Sequence, residues 1–269
     1  MIELPKSIGT IGAGNMAEAI LEGLLQSGLS PDQLIASDPA DARRAHLEEQ
    51  LGIRTTTSNA EVCQQSELVV LAVKPGIVEA AAAAIPAGSG CLFLSIAAGL
   101  PLARLRDFLG RDARVVRAMP NTPALIGRGV TALAEDPKSS PQDLERAGAV
   151  LQAIGSVVRV PESQLDAVTG LSGSGPAYVY LFIEALTDAG IREGLPSDVA
   201  RTLAIETAVG AAHMVKESEE HPAVLRDRVS SPGGTTVAGL AALEAHGLRA
   251  AVLEAVRAAT QRSRELAAS

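Results

Sequence analysis

Two glycine-centred clusters carry most of the chemistry in this sequence. The first, Gly12-Ala13-Gly14-Asn15-Met16-Ala17, follows a short apolar run and opens a helix-like stretch. In that setting Gly12 permits a tight turn and Gly14 lets the backbone approach a pyrophosphate. The small Ala17 lets helix and strand pack closely. The anion then rests on N–H groups at the positive end of a helix. An acidic residue, Asp38, stands 21 positions beyond Ala17, where a carboxylate can accept from a ribose 2′-OH. The glycine loop alone is a weak signal, but loop and acid within one strand–helix–strand setting make a dinucleotide site the expectation. Ser37 precedes the acid, and Arg43 and Arg44 follow it. The two arginines either neutralise a 2′-phosphate or line a solvated helix face, so NADPH and NADH both stay open. Val73-Lys74-Pro75 and the stretch 95–99, with Ala97, close two later strand candidates where a nicotinamide belongs. Asn15, Met16 and Asn59 complete the expected coenzyme contacts.

The second cluster is Ser231-Pro232-Gly233-Gly234-Thr235-Thr236. Gly233 and Gly234 carry no side chains, so their N–H groups can face an anion closely. Pro232 fixes the approach to the helix that follows, and the hydroxyls of Ser231, Thr235 and Thr236 add donors. An ordinary helix cap accounts for one Ser or Thr, not for the whole cluster. It reads as a second anion clamp.

These clusters need elements to hold them. Through the first 160 or so residues, short apolar runs alternate with helical patterns. Strands are expected at 7–11, 34–37, 68–73, 91–96, 114–118 and 157–160, and helices at 17–25, 41–51 and 141–154. Continuous apolar strands separated by helices imply a parallel sheet covered on both faces. Beyond Pro161 the strand signals vanish. Helices are expected from Ser174-Gly175-Pro176 towards Gly190, from Pro196 towards Glu219, after Pro232, and over 248–266. The fold class is therefore α/β, an N-terminal Rossmann-like doubly wound sheet (1–161) followed by an all-helical domain (162–269). An Ala-rich helical domain with little aromatic mass is small for a self-sufficient core, so it is expected to complete its burial against a second copy.

Three further segments, read with the two clusters, carry a resemblance: Met119-Pro120-Asn121-Thr122-Pro123, the run 168–178 (VTGLSGSGPAY), and Val229-Ser230 leading into the second cluster. Together with Ala72-Val73-Lys74-Pro75 and the closing Arg264-Glu265-Leu266, the chain resembles the pyrroline-5-carboxylate reductase family from end to end. That resemblance implies NAD(P)H-dependent reduction of 1-pyrroline-5-carboxylate to L-proline, with the helical domain interlocking in a dimer that often assembles further. It implies that Thr236 hydrogen-bonds the substrate nitrogen and that Glu219 lies near the site. Chemically, a threonine hydroxyl is too weak an acid to protonate the imine outright. Its expected role is to orient an iminium or relay a proton from water, and an anionic Glu219 can stabilise the cation through a water. Asn121 is expected to bridge coenzyme and substrate. Ser174-Gly175-Pro176 either packs near the nicotinamide or merely starts a helix.

Composition sets the boundaries of this reading. The net charge of −8, with no Trp, two Tyr and three Phe, leaves neither the basic footprint nor the stacking platforms of a nucleic-acid partner. No apolar run reaches the ~20 residues of a membrane helix, no signal peptide opens the chain, and a cytoplasmic enzyme is expected. Cys63 and Cys91 lack metal or redox spacing and read as buried free thiols. His213 and Glu217 share a helical face without a third ligand, so no metal is expected. Two rivals remain. A β-hydroxyacid dehydrogenase relies on a lysine early in the helical domain, but Lys216 is the only lysine after Pro161 and lies in a charged stretch. A non-catalytic dinucleotide sensor has no use for the second clamp.

Overall fold

A computed structural model describes residues 4–86 and 88–268. The chain forms two compact units, Met1–Ser174 with Ala258–Ser269, and Gly175–Arg257. The expected division after Pro161 lies at the end of a strand, and the units themselves part after Ser174.

The first unit is built on one eight-stranded sheet: β1 (Ile8–Ile11), β2 (Leu34–Ser37), β3 (Arg54–Thr56), β4 (Leu68–Leu71), β5 (Leu92–Ser95), β6 (Arg114–Met119), β7 (Gly129–Glu135) and β8 (Gly155–Pro161). Their spatial order is 3-2-1-4-5-6-7-8. The first six strands pair in parallel, β7 runs antiparallel to β6, and β8 returns parallel to β7. Strand order reverses at β1, which pairs with β2 on one side and β4 on the other; such a reversal is where an open α/β sheet leaves a binding crevice. Side-chain alternation divides the core into two layers. Leu68, Val70, Leu92 and Leu94 join one with Ile20, Leu24, Leu47 and Val150. Val69, Leu71 and Phe93 join the other with Val62, Val78 and Leu105.

The helices that cover the sheet are α1 (Asn15–Gln26), α2 (Asp41–Leu51), α3 (Asn59–Gln65), α4 (Val78–Ala83), α5 (Leu102–Leu109), α6 (Pro141–Gln152) and α7 (Leu165–Val168). Each expected strand and helix of this part forms, to within a few residues at its ends. Two strands were not anticipated. Three-residue β3 has no periodicity to read, and β7 is masked by small and polar residues (Gly129, Thr131, Ala132, Ala134).

The second unit is helical: α8 (Gly175–Arg192), α9 (Ser197–Ser218), α10 (Pro222–Arg228), α11 (Thr235–Ala245) and the first half of α12 (Leu248–Ala268). Only α10 was not anticipated. A Cβ on Gly190 would lie 3.1 Å from the Cβ of Ala200, so small residues set the approach of α8 to α9. Between Gly175 and Arg257 only Ala200 and Ala204 are buried, while Val179, Tyr180, Leu181 and Phe182 stand exposed in a row. The C-terminal end of α12 belongs to the first unit, where the Ser263 hydroxyl donates to the Asp166 carboxylate at 2.7 Å.

Candidate active site

The first cluster sits in the crevice beside β1. Gly12 adopts φ +96°, and a Cβ there would come within 2.8 Å of the Ala72 carbonyl. Both conformation and space therefore demand glycine at this position. Gly14 caps α1 without any side-chain hydrogen bond, and a Cβ on Gly14 would meet nothing within 4 Å. Asn15 is exposed, Met16 is half-buried, and Ala17 is buried against the sheet. The result is an open space over the uncapped, positive end of a twelve-residue helix. A pyrophosphate fits such a cradle.

The end of β2 is tied to this loop. Asp38 accepts from the Ala13 N–H through one carboxylate oxygen and from the Ala40 N–H through the other, each at 2.9 Å. Each oxygen keeps a lone pair for a ribose hydroxyl. Ser37 is buried, and its hydroxyl donates to the Asn59 side-chain oxygen at 2.7 Å while Asn59 donates to the Ala81 carbonyl at 3.1 Å. Those two expected contacts fasten β2, α3 and α4 together. Arg43 and Arg44 are engaged as well. Arg43 donates to the Ala13 carbonyl and to Glu18, each at 2.7 Å, and Arg44 donates to the Asp38 carbonyl at 2.7 Å and pairs with Asp41. Sequence reading missed Glu18, which also meets His46 at 2.7 Å. Burial pushes the Glu18 carboxyl up, but hydrogen bonds from Arg43 and His46 outweigh it and hold the group below the ordinary range. No local spacing signals this contact, because it joins helices on either side of β2.

Residues 72–75 and 96–99 leave from neighbouring strand ends, since Leu71 pairs with Ser95. Lys74 and Pro75 are exposed, Val73 is half-buried, and Ala97 is buried. Asn121 is buried with its carboxamide committed at both ends, accepting from the Val130 N–H at 2.9 Å and donating to the Ser172 carbonyl at 3.2 Å. It thereby holds the 119–123 turn to β7 and to the π-helical turn Thr169–Gly173.

In the second unit, Gly233 adopts φ +69° and Gly234 caps α11, again without a side-chain cap. A Cβ on Gly234 would strike the Ser231 hydroxyl at 2.4 Å. The Gly234 N–H donates to the Ser231 carbonyl at 2.9 Å, closing the turn. That bond leaves the first turn of α11 to offer its donors outward. Ser231 and Thr235 are exposed and Thr236 is half-buried. Glu219, exposed at the end of α9, has φ +55° and is the one non-glycine residue with positive φ among those described. Its neighbour Glu220 accepts two hydrogen bonds from Arg228. The structure thus brings Ser231, Gly233, Gly234, Thr235 and Thr236 into one turn.

Cys63 and Cys91 are buried free thiols. His213 and Glu217 form a loose exposed pair at 3.7 Å, and no three His, Cys, Asp or Glu side chains gather to hold a metal among the described residues. Among those residues, no single helix is long and apolar enough to cross a membrane.

Comparison with known proteins adds to this geometry. Residues 162–266 match the family described as pyrroline-5-carboxylate reductase dimerisation, and residues 7–99 match that of NADP oxidoreductase coenzyme F420-dependent. The chain is 48% identical to a pyrroline-5-carboxylate reductase of Synechocystis, over 96% of this chain and 97% of that one. A solved structure of the reductase from Coxiella burnetii superposes with a TM-score of 0.91 at 35% identity, covering 97% and 98% of the two chains. The Plasmodium falciparum enzyme, solved with NADP bound, gives 0.87 at 31% identity over 99% of each.

Proposed function

The chain belongs to the pyrroline-5-carboxylate reductase family and is an NAD(P)H-dependent oxidoreductase, and we propose how its own residues reduce 1-pyrroline-5-carboxylate to L-proline. One observation carries the proposal. The chain builds two uncapped, glycine-lined helix starts, at α1 and at α11, and the reaction has two anions to hold: a dinucleotide pyrophosphate and a substrate carboxylate.

The residues for the coenzyme are Gly12, Gly14, Asn15 and Met16 at the pyrophosphate and Asp38 at the adenosine ribose. Val73, Lys74, Pro75 and Ala97 lie at the strand ends on the nicotinamide side. Ser37, Asn59 and Asn121 shape that surface from behind through the hydrogen bonds described above. When bound, the reduced coenzyme supplies the hydride. The residues for the substrate are the donors of the turn at 231–236. Ser231, Gly233, Gly234 and Thr235 form the carboxylate clamp, oriented by the positive end of α11.

Thr236 is half-buried in the first turn of that helix, where its hydroxyl accepts from or donates to the ring nitrogen according to protonation. With the nitrogen protonated by solvent, the imine carbon becomes electrophilic, and rate enhancement follows mainly from placement. Glu219 keeps the region anionic and steadies the iminium through water. The helical unit supports self-association, since it leaves most of its large apolar side chains exposed and none buried within one chain. We place the enzyme in the cytoplasm as a homodimer or higher homo-oligomer.

The test is loss of reduced-coenzyme absorbance with 1-pyrroline-5-carboxylate against a no-substrate control, beside gain of that absorbance from oxidised coenzyme with 3-hydroxy acids. Turnover confined to the imine supports the reading. Oxidation of a hydroxy acid by the oxidised coenzyme would favour a hydroxyacid dehydrogenase, and tight coenzyme binding without turnover a sensor.

A further inference from the structure

The arginines after β2 are the groups that distinguish a 2′-phosphate from a 2′-hydroxyl, and in this chain neither is idle. Arg43 reaches back from α2 to the glycine loop, where its Nε donates to the Ala13 carbonyl and its Nη2 to Glu18. Glu18 lies in the first turn of α1 and holds His46 with its other oxygen. Ala13 is therefore held through both its backbone groups, its N–H by Asp38 and its carbonyl by Arg43. Arg44 is turned onto the Asp38 carbonyl and Asp41. The carboxylates of Glu18 and Asp41 balance the two guanidinium charges, and the carboxylate of Asp38 is held by the Ala13 and Ala40 N–H groups.

We infer that Glu18 is a specificity-determining positioning residue: by anchoring Arg43 to the glycine loop and balancing its charge, it makes this enzyme favour NADH over NADPH. A 2′-phosphate brought to the end of β2 meets the Asp38 carboxylate, and no uncommitted guanidinium compensates it. A 2′-hydroxyl meets an acceptor already oriented by two backbone N–H groups. Without the Glu18 charge, Arg43 can swing from the loop carbonyl to a phosphate, a charge-assisted and bidentate alternative. The inference rests on the loop at 12–17 being the coenzyme cradle.

The test is isothermal titration of the full-length protein with NAD+ and with NADP+, so the readout is affinity and not turnover. The wild type should bind NAD+ about tenfold more tightly than NADP+. Glu18→Gln should raise the NADP+/NAD+ affinity ratio by about tenfold, the worth of one charged hydrogen bond. Adding Arg43→Met to Glu18→Gln should return the ratio to its starting value. Gly14→Val, which fills the open space over α1, is the control for the cradle and should abolish binding of both. A wild type that prefers NADP+, a ratio unmoved by Glu18→Gln, or a gain that persists without Arg43 overturns the inference while leaving the cradle standing. Equal loss of both affinities in Glu18→Gln also overturns it, by making Glu18 a mere loop support. Full binding by Gly14→Val removes the cradle itself, and the inference with it.

Discussion

The two units of this chain solve the problem of burial in opposite ways. The sheet unit encloses two apolar layers, and every residue of β1, β2, β4 and β5 is buried. The helical unit buries two alanines and leaves Leu181, Leu203 and Leu253 more than half exposed. A unit that cannot bury its own apolar surface does not fold stably alone. The lesson is that the loop proposed to cradle the dinucleotide stands on a self-supporting scaffold. The α11 turn stands on one that must borrow a core, and a second copy of the chain is the source the family match supplies.

The strongest way to break that contrast is to charge the uncovered face. Leu181→Asp places a carboxylate where self-association would bury it, at a cost of several kcal/mol. Its expected outcome is loss of the oligomer and of turnover, with NAD+ binding by the sheet unit retained. Light scattering and coenzyme titration check both halves, and an intact, active oligomer would show that the α8 face is not an interface. The matched change in the sheet unit is Leu94→Ala, which removes a wholly buried side chain. It should cost about 3 kcal/mol at any protein concentration, whereas the stability of the helical unit should rise with concentration.

Thr236→Ala sharpens the contrast at the level of chemistry. With its hydroxyl serving the substrate nitrogen as proposed, its removal should lower kcat roughly hundredfold, with melting and coenzyme affinity unchanged. If coenzyme affinity fell in step, the division of labour between the two turns would be wrong.

Much of this was legible in the sequence because local physics wrote it there. The runs at 68–73 and 91–96 read as buried parallel strands since burial on both faces leaves no room for alternation. Gly12 read as a tight-turn glycine, and its φ of +96° and the nearby Ala72 carbonyl require one, whereas Gly14 has open space beside it and its reading rests on the proposed pyrophosphate alone. The run 231–236 read as a turn leading into a helix, and it forms one; the anion clamp is the reading proposed for it. What stayed hidden depends on contacts between distant residues. Nothing near Asn121 shows that its carboxamide is consumed by Val130 and Ser172, and nothing near Glu18 shows Arg43 and His46 arriving from α2. β7 escaped because parallel pairing with β8 along its whole length, and with β6 at two positions, sustains a strand made largely of small residues. The left-handed backbone of Glu219 has no signature at all.

The sheet unit also carries a pH-dependent element that does not rely on association. Asp143, at the start of α6, is buried and pairs with Arg114 on β6. Burial pushes its carboxyl up, but the hydrogen bonds from Arg114 and Ser140 outweigh that and leave it below the ordinary value of 3.8. A carboxyl lowered in the folded state adds stability above its unfolded value, and that stability is lost as pH falls through the lower folded value. Asp143→Asn should therefore cost about 1–2 kcal/mol near neutral pH. The gap to wild type should stay flat down to about pH 4 and close below it. Urea denaturation at fixed protein concentration across that range measures it. A gap independent of pH would mean that the ion pair contributes nothing beyond its hydrogen bonds.

The smallest effect expected on stability bears on the sharpest difference between the units. In the sheet unit every positive-φ position described is glycine, from Gly12 to Gly155, whereas the helical unit holds Glu219 at φ +55° between two helices. A side chain in that region costs about 1 kcal/mol or more against glycine. Glycine recovers that cost but gains freedom in the unfolded chain, worth roughly 0.5–1 kcal/mol in the opposite sense. Glu219→Gly should thus leave stability within about 0.5 kcal/mol of wild type, or raise it slightly. If the carboxylate steadies the iminium, kcat should nonetheless fall, and Glu219→Gln should show the same fall while keeping the backbone cost. Agreement of the two variants in rate, with divergence only in melting, separates the charge from the turn. Normal rates in both would reduce Glu219 to a strained helix end with no part in the reaction.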